Sequence, residues 1–359
     1  MGHDVVVVGG GVVGLSVAWR LASLGRVTVV DPLPARGASW FAGGMLAPVA
    51  EAWPGEEGLL ELGGASLGLW PGFAAELGVE LYPSGTVVVG VDAADAAQLD
   101  VVAEYLARLG RSVERLAGRE LRRVEPAIGP GVRSGLVVSG DLAVDNRELL
   151  RCLTSRALAA GIEFVREAAV AVSPGVVELA GATLGCDTVV IAAGAWSGAL
   201  HPLLASVVRP VKGEILRLRA RATSLPPPRR TVRALVESRS VYLVPRRDGE
   251  LVVGATQYEA GFDDVVTAGG VRDLLVCAER VVPAVAEYEF AEAAAGLRAG
   301  SLDNLPLVGW LEPGVMVAAG HHRNGLLLAP ITADAVFAMV VGVEPPSEIE
   351  VADPARLER

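Results

Sequence analysis

Three glycines near the N-terminus have a spacing that could hold a phosphate chain. Gly9, Gly11 and Gly14 follow a run of four valines and precede an apolar stretch, in the order G-x-G-x-x-G. In such a turn the first glycine allows the tight bend, the second lets the backbone approach a pyrophosphate, and the third lets helix and strand pack closely. Asp31 ends the next apolar run, where a carboxylate can accept hydrogen bonds from ribose hydroxyls. These residues together predict a bound dinucleotide, and they do not distinguish FAD from NAD(P).

The other side chains that commonly do chemistry have no recognisable spacing. The cysteines, Cys152, Cys186 and Cys277, are widely separated, so each is expected to be a small buried hydrophobe in a reducing, cytoplasmic setting. His321 and His322 are adjacent and lack further ligands at a workable spacing, so no metal site is predicted. The chain also has no Ser/His/Asp or paired-carboxylate pattern. The sequence therefore favours chemistry performed with the dinucleotide.

The charge of the chain limits its partners. A net charge of −11 argues against non-specific binding to nucleic acid or to an anionic membrane. An anionic substrate would need a local positive site, which narrows the search to a few arginines. Asp4 lies where a signal peptide would be basic, so no signal peptide is predicted. The apolar residues 326–343 are interrupted by Pro330 and Asp334, which favours a packed helix over a membrane span.

Around the glycine turn the pattern predicts a parallel sheet. Residues 4–8 show no polar alternation, as in a strand buried on both faces, and a helix over 15–24 and a second strand over 27–31 should follow. Residues 188–191 repeat the pattern of a buried strand followed by glycine, and we expect this strand to return to the same sheet. These features indicate an α/β fold.

The rest of the chain has a different texture. Residues 59–77 read as helical but interrupted by a glycine pair and a proline, and 162–165 as the first strand of a small β-meander. From residue 207 onward, longer alternating strands and a hairpin over 241–253 predict an antiparallel sheet with helices, inserted into the first domain. A last strand should lead into a helix beginning near Asn324.

Five motifs stand in a characteristic order along the chain. They are residues 9–14 (GGGVVG), 43–48 (GGMLAP), 242–246 (YLVPR), 296–298 (GLR) and 320–330 (GHHRNGLLLAP). In this order they resemble the FAD-dependent amino-acid oxidases of the D-amino-acid oxidase superfamily, and within it the glycine oxidases of thiamine biosynthesis. The resemblance runs over essentially the whole chain. Its last motif is specific, whereas the first is shared with many enzymes.

This resemblance implies a fold and a cofactor. The fold is an FAD-binding Rossmann-like domain of the glutathione-reductase type, with an inserted α+β antiparallel-sheet substrate domain. The FAD-binding domain would comprise residues 1–80, 140–206 and 298–359, and the substrate domain residues 81–139 and 207–297. FAD would be bound noncovalently.

The same resemblance implies a reaction. It is the oxidative deamination of glycine or a similarly small amino acid to the imine and then the 2-oxo acid, with ammonia and hydrogen peroxide. The implied partners are the amino-acid substrate, oxygen and thiazole synthase, and the chain is expected to be a cytoplasmic homo-oligomer. Two alternatives stay open: a flavin-dependent dehydrogenase of the sarcosine or proline type, and a flavin-binding protein without amine chemistry.

The motifs also assign residues to the site. Arg298 would pair with the substrate carboxylate, and Tyr242 would donate a hydrogen bond to it. Arg323 would lie beside substrate and flavin, and Met45 would line the pocket. A planar guanidinium suits a carboxylate because it can donate two parallel hydrogen bonds. The residues expected at the cofactor are Gly9, Gly11, Val12, Val13, Gly14, Asp31, Pro32, Ala38, Ser39, Gly43, Gly44, Met45, the backbone of Val170, Gly194, His321, His322, Arg323, Asn324, Gly325, Leu326 and Leu327.

Two positions depart from the family pattern. The family often has an aromatic residue where His322 stands, which leaves the role of this ring open. The ribose-binding position is often glutamate and is Asp31 here, which is one methylene shorter and can still accept the same bonds.

Overall fold

The computed structural model describes residues 3–358, which contain twenty strands and eight α-helices. The strands are β1 (His3–Val8), β2 (Gly25–Val30), β3 (Met45–Leu46), β4 (Leu81–Tyr82), β5 (Thr86–Gly90), β6 (Glu114–Ala117), β7 (Ser134–Val138), β8 (Leu142–Val144), β9 (Glu163–Val165), β10 (Ala169–Ser173), β11 (Val176–Leu179), β12 (Thr183–Gly185), β13 (Thr188–Ile191), β14 (Arg209–Arg219), β15 (Thr231–Val236), β16 (Arg239–Pro245), β17 (Glu250–Gly254), β18 (Glu289–Gly300), β19 (Leu307–Glu312) and β20 (Val315–Ala319). The helices are α1 (Val12–Leu21), α2 (Glu57–Leu77), α3 (Ala93–Arg108), α4 (Gly118–Val124), α5 (Asn146–Ala159), α6 (Ser197–Leu200), α7 (Ala268–Val281) and α8 (Ala329–Val340).

The N-terminal strand lies at the centre of a six-stranded sheet in the order β19-β20-β13-β1-β2-β9. β1 pairs in parallel with both β2 and β13, as the repeated strand pattern predicts. Val5 and Val7 pack with helices α1, α5 and α8, whereas Val6 and Val8 pack on the other face with β10 and β11. The valine run lacks polar alternation because both of its faces are covered.

A second sheet of eight strands has the order β18-β14-β17-β16-β15-β5-β7-β6. β14 and β18 pair antiparallel along most of their length, and the predicted hairpin is present as β16 and β17. Helix α7 covers one face of this sheet, and the other face packs against helix α3 and against Phe41 and Met45. The strands come from residues 86–138 and 209–300, so the sheet is discontinuous in sequence. The domain boundaries given above stay a prediction.

Helix α1 begins at Val12, three residues earlier than predicted, directly after Gly11. A Cβ on Gly14 would overlap the carbonyl oxygen of Gly9 and would lie 3.4 Å from Cβ of Ala192. Glycine at this position therefore lets the first turn of the helix pack against the ends of β1 and β13. The glycine turn and the helix form one unit.

Residues 57–77 form a single helix, α2, so the predicted interruptions by the glycine pair and Pro71 are wrong. Trp70 is fully buried. Ser66 Oγ and Trp70 Nε1 donate hydrogen bonds to the carbonyl oxygen of Leu327, at 2.6 and 3.0 Å. These contacts across the core outweigh the low helix propensity of glycine and proline.

Strand β9 lies in the six-stranded sheet, so its predicted place in a meander is wrong. It pairs in parallel with β2 at the sheet edge, and the meander consists of β10, β11 and β12. A short apolar run does not show which sheet it will join. Here helix α5 precedes β9 and returns the chain beside β2 as a parallel crossover.

The segment after β20 is irregular for longer than predicted. Residues 321–328 include successive turns, and helix α8 begins at Ala329 instead of near Asn324. Gly320 and His322 have φ angles of 75° and 46°, which a right-handed helix does not allow. Helix α8 is buried against α1 and α2. Within residues 3–358 no helix is long and apolar enough to cross a membrane.

Candidate active site

Of the three motif glycines, only Gly11 has open space where a Cβ would stand. Gly9 has a φ angle of 114°, and a Cβ there would lie 2.8 Å from Cα of Ala193. At Gly14, as described above, the carbonyl oxygen of Gly9 leaves no room for a Cβ. A Cβ on Gly11 would meet only Oγ of Ser39, at 3.4 Å. Gly9 and Gly14 thus serve the protein's own packing, whereas Gly11 faces a groove with room for a ligand.

Backbone N–H groups of this turn lack acceptors. Within residues 3–358, the N–H groups of Gly11 and Val13 have no hydrogen-bond acceptor, and that of Val12 donates to Oγ of Ser39 at 3.1 Å. They lie at the N-terminus of α1, where the helix dipole also favours an anion. The turn has the donors that a pyrophosphate needs.

Asp31 follows β2, and its carboxylate already holds the backbone. Oδ2 accepts a hydrogen bond from the N–H of Gly10 at 2.6 Å, and Oδ1 accepts one from Leu33 at 2.7 Å. Each carboxylate oxygen can accept a second hydrogen bond. Asp31 and Pro32 both line the groove. Asp31 can therefore fix the turn and still accept bonds from ribose hydroxyls.

The groove widens beyond the turn into a cavity of about 830 Å³. Leu33 and Trp196 are among its lining residues, and apolar walls of this kind suit an aromatic base. Val170 does not line this cavity: its side chain is 56% exposed, and it is the extra residue of a β-bulge in β10. Its neighbours Ala168 and Ala169 line the cavity, and the contact of the Val170 backbone with the cofactor stays a prediction.

The small-residue segment after Asp31 runs along the groove. A short 3-10 turn, Ala38–Phe41, is followed by extended chain that includes Gly43 and Gly44. A Cβ on Gly43 would lie 2.6 Å from Cε2 of Tyr242, and Gly44 has a φ angle of 82°. Gly194, with a φ angle of 56°, also lines the groove. Small residues here let the backbone lie close both to the groove and to Tyr242.

The turns after β20 provide further donors. The N–H groups of Gly325, Leu326 and Leu327 have no acceptor among the described residues, while the carbonyl of Leu327 is held by Ser66 and Trp70. Three successive donors suit the polar edge of a flavin ring, which becomes anionic on reduction. The turn thus offers the donors expected of a helix beginning near Asn324.

His321 and His322 have different surroundings. His321 is buried, its Nε2 lies 3.0 Å from Oγ1 of Thr332, and burial lowers its pKa to about 4. The backbone N–H of His322 donates to the carbonyl of Ala299 at 2.8 Å. Burial and the neighbouring Arg323 lower the pKa of His322 to about 4. Nε2 of His322 is buried without a partner within residues 3–358, so this nitrogen is available to a bound group.

Arg298 and Tyr242 meet in a cavity that shares Val12, Ser39 and other wall residues with the groove. They project from β18 and β16, on the face of the eight-stranded sheet opposite α7. Nη1 of Arg298 donates to the carbonyl of Thr256 at 3.2 Å. Burial lowers the pKa of Arg298 and raises the pKa of Tyr242. The hydroxyl of Tyr242 and the remaining guanidinium donors can bind one carboxylate together.

Arg323 and Met45 line the same cavity, so the four residues assigned to the substrate come together. Nη2 of Arg323 lies 3.9 Å from Oε2 of Glu56. The cavity wall also contains Glu51, whose Oε1 accepts a hydrogen bond from Nη1 of Arg233 at 2.6 Å. Sequence reasoning missed this pair because its members are 182 positions apart and no local spacing connects them.

The residues present fit FAD on three observations. The turn at Gly11 has space and unpaired N–H donors, the groove past Asp31 leads to a cavity with room for a nucleotide base, and the donors of residues 325–327 stand near Arg298. A dinucleotide groove that ends at a carboxylate-binding cavity defines a nucleotide-dependent oxidoreductase.

Comparisons with known proteins agree with this class. The model of the family described as FAD dependent oxidoreductase (DAO) matches residues 4–339. The chain is 32% identical to the glycine oxidase of Pseudomonas putida, over 99% of this chain and 98% of that protein. The crystal structure of glycine oxidase from Geobacillus kaustophilus matches with a TM-score of 0.90 and 31% identity, covering 99% of this chain and 98% of that one. The chain belongs to the DAO family of FAD-dependent oxidoreductases.

A third relative is longer than this chain. The bifunctional protein ThiO/ThiG of a Nostoc species is 31% identical over 95% of this chain, which spans 53% of that protein.

Proposed function

We propose that this chain is an FAD-dependent oxidase of glycine or of a similarly small amino acid. The reaction yields the imine, which water converts to the 2-oxo acid and ammonia, together with hydrogen peroxide. The observation that carries the proposal is the meeting of Arg298 and Tyr242 in a cavity that shares part of its wall with the cofactor groove. The two glycine oxidases, similar over almost the whole chain, support the choice of substrate.

Arg298 and Tyr242 bind the substrate through its carboxylate. The guanidinium donates two parallel hydrogen bonds and the hydroxyl a third, which orients the substrate as well as holding it. The neighbouring Cα is thereby fixed relative to the groove. The cavity has a volume of about 130 Å³, and Met45 and Phe41 are in its wall. This limited space favours a substrate with little or no side chain.

FAD held at the Gly11 turn and by Asp31 would supply a hydride acceptor for the substrate Cα and would pass the electrons to oxygen. The side chains need not remove a proton from Cα, because the lone pair of the neutral amine drives the departure of the hydride. Their tasks are to hold the carboxylate, to exclude water, and to stabilise negative charge with the N–H groups of residues 325–327. This division agrees with a sequence that has no nucleophile or paired-carboxylate pattern.

A substrate panel tests the proposal. The purified yellow protein is mixed with glycine, sarcosine, D-alanine or proline under nitrogen, and the loss of flavin absorbance is followed. The same panel in air is assayed for hydrogen peroxide. Bleaching by glycine with peroxide release supports the oxidase. Bleaching without peroxide identifies the dehydrogenase alternative, and no bleaching by any amine identifies a flavin-binding protein without amine chemistry.

We further propose that the imine feeds thiamine synthesis, with thiazole synthase as the partner. The Nostoc relative supports this, because one polypeptide there joins a part similar to this chain to a second part, ThiG. A cytoplasmic location and a homo-oligomeric state belong to the same proposal, and all three cysteines are free, as suits a reducing compartment. Co-purification with thiazole synthase and the molecular mass in solution test these points.

A further inference from the structure

The cavity that contains Arg298 has a single carboxylate in its wall among the described residues. Its charged lining consists of the guanidinium groups of Arg298 and Arg323 and the carboxylate of Glu51. An amino acid enters such a cavity as a zwitterion, with a carboxylate for Arg298 and an ammonium group that also needs a partner. An ammonium ion next to two guanidinium groups would be repelled in a cavity shielded from water. Glu51 supplies the opposite charge.

Glu51 is held in place by an ion pair at the edge of the clamp. Nη1 of Arg233 donates to its Oε1 at 2.6 Å, and the two side chains are only 14% and 15% exposed. Arg233 lies directly opposite Tyr242 in the pairing of β15 with β16, so Glu51 is fixed beside the carboxylate clamp. Its second oxygen, Oε2, accepts no hydrogen bond within residues 3–358 and is not buried. A purely structural ion pair would not require this free oxygen in the cavity wall.

We propose that Glu51 binds the substrate ammonium group through Oε2 and accepts its proton. The N–H bond of the ammonium ion breaks, the proton forms an O–H bond with the carboxylate, and the electron pair stays on nitrogen as the lone pair of the neutral amine. No other bond changes in this step. The inference rests on the proposed oxidation of an amino acid, since only the neutral amine can release the hydride. The cavity then has one group for each charge of the zwitterion: Arg298 for the carboxylate and Glu51 for the ammonium group.

Asp141 provides a second carboxyl group near Glu51. It is 1% exposed and lies against Thr86 and the backbone of residues 49–50. Burial, with a smaller contribution from the charge of Glu51, raises the pKa of Asp141 to about 7. Two neighbouring carboxyl groups in such unequal surroundings take different roles: burial favours the protonated form of Asp141, whereas Glu51 is paired with Arg233. Within residues 3–358, the other ionisable groups around Glu51 include Arg233, Arg298, Arg323, Tyr242 and Glu56.

The test compares the holoenzyme with its Glu51→Gln variant, which has the same shape and no charge. Anaerobic stopped-flow reduction gives the Kd for glycine and the limiting rate from pH 6 to 10. We expect glycine affinity at pH 7 to fall by roughly 10- to 100-fold, the loss of one charged hydrogen bond. In the variant, the pH at which the limiting rate of flavin reduction rises should move towards the pKa of the amino group of free glycine. Binding of acetate, which has the carboxylate and no ammonium group, should stay equal or tighten, as read from flavin absorbance.

Three further variants make the result decisive. Glu51→Asp should recover part of the glycine affinity. Glu76→Gln, which removes a carboxylate paired with Arg20 at 2.8 Å outside the cavity, should behave as the parent. The double variant Glu51→Gln/Arg233→Met avoids leaving Arg233 unpaired, and FAD content verifies that it folds. If the double variant binds glycine as the parent does, Glu51 serves only to neutralise Arg233 and the inference is overturned.

The outcomes also separate the inference from the function on which it rests. If glycine fails to bleach the parent enzyme, the proposed function is wrong. If glycine bleaches the parent, and Glu51→Gln keeps the parent's affinity and pH profile, only the role of Glu51 is wrong.

Discussion

The guanidinium of Arg298 occupies the space that a side chain on Gly213 would need. A Cβ on Gly213 would lie 2.5 Å from Cζ of Arg298. The same relationship holds on the neighbouring strands, where a Cβ on Gly254 would lie 2.6 Å from Cε2 of Tyr242. Two glycines of the eight-stranded sheet thus let both carboxylate-binding side chains lie flat over its surface. The orientation of the clamp depends on these glycines as much as on the clamp residues themselves.

Gly213→Ala should therefore damage substrate binding without touching the substrate. The added methyl group displaces the guanidinium, and a misplacement on this scale typically costs about 100-fold in efficiency. We expect flavin reduction by glycine to lose roughly 10- to 100-fold in efficiency, while FAD content stays that of the parent. Gly269→Ala, in the first turn of α7 with no atom within 4 Å of its Cβ, is the matched control. Parental kinetics in Gly213→Ala would show that Arg298 does not need its present position.

Arg298→Ala should have a larger effect. Removing one partner of a buried charge pair costs about 2–5 kcal/mol, much of it from leaving the other charge unpaired. At about 1.4 kcal/mol per decade this is a loss of roughly 30- to 5,000-fold in anaerobic reduction efficiency with glycine. Arg298→Lys keeps the charge and loses the planar fork, so it should recover only part of the loss. FAD should stay bound in both variants. If Arg298→Ala is fully active, Arg298 does not bind the substrate carboxylate, and Arg323 becomes the candidate.

Gly11→Val tests the phosphate site. Because a Cβ at Gly11 meets only Oγ of Ser39, at 3.4 Å, the protein should tolerate the side chain and fold. The branched side chain would instead fill the space beside the unpaired N–H groups of the turn. We expect a folded, colourless protein, with thermal unfolding and FAD absorbance as the two measurements. Gly68→Val, on an open side of α2 with no atom within 4 Å, should stay yellow. Stoichiometric FAD in Gly11→Val would place the pyrophosphate elsewhere.

Asp141→Asn should stabilise the protein at alkaline pH. The pKa of Asp141 is about 7 in the folded state, mainly through burial, against 3.8 for the free group. The folded state therefore holds a proton that the unfolded state releases, so stability is lost as pH rises from about 4 to about 7. Above pH 7 the cost is on the order of 4 kcal/mol, and neutral asparagine avoids it.

Thermal unfolding at pH 5 and pH 8 measures the effect of Asp141→Asn. The gain in stability over the parent should be larger at pH 8 than at pH 5. Asp100→Asn, which removes an exposed carboxylate paired with Arg115, should show no comparable difference between the two pH values. An equal gain from Asp141→Asn at both pH values would mean that Asp141 is charged throughout.

The parts of the fold that the sequence predicts are those with local signals. Aspartate is favoured just before a helix and glycine just after one. The Asp145 side chain accepts hydrogen bonds from two N–H groups at the start of α5, and Gly161 follows the end of that helix with a φ angle of 79°. The hairpin of β16 and β17 and the return of β13 to the first sheet follow in the same way from turn residues and a buried apolar run. Caps, turns and periodicity are properties of neighbouring residues, so a single sequence contains them.

The missed features depend on contacts between distant segments. Glu51 and Arg233, or Gly213 and Arg298, meet only after two sheets have formed and packed, and nothing near them in the sequence marks the pair. Helix α2 is the opposite case. The glycine pair and the proline in its sequence disfavour a single helix, but burial against the segment around Leu327 keeps the helix continuous. The family motifs assigned Arg298, Tyr242 and Arg323 to one site, whereas the acidic side of that site has no motif.

The order of strands in the first sheet also determines when, during translation, the cofactor site can be completed. Among the strands of this sheet β1 and its glycine turn leave the ribosome before the others, whereas β13 and then β20 follow about 190 and 310 residues later. The donors of residues 325–327 come later still. A nascent chain thus carries the phosphate turn long before it has the donors for the flavin ring, so flavin should bind only after residues 325–327 have been made. Fragments that stop before residue 320 should be made without the cofactor.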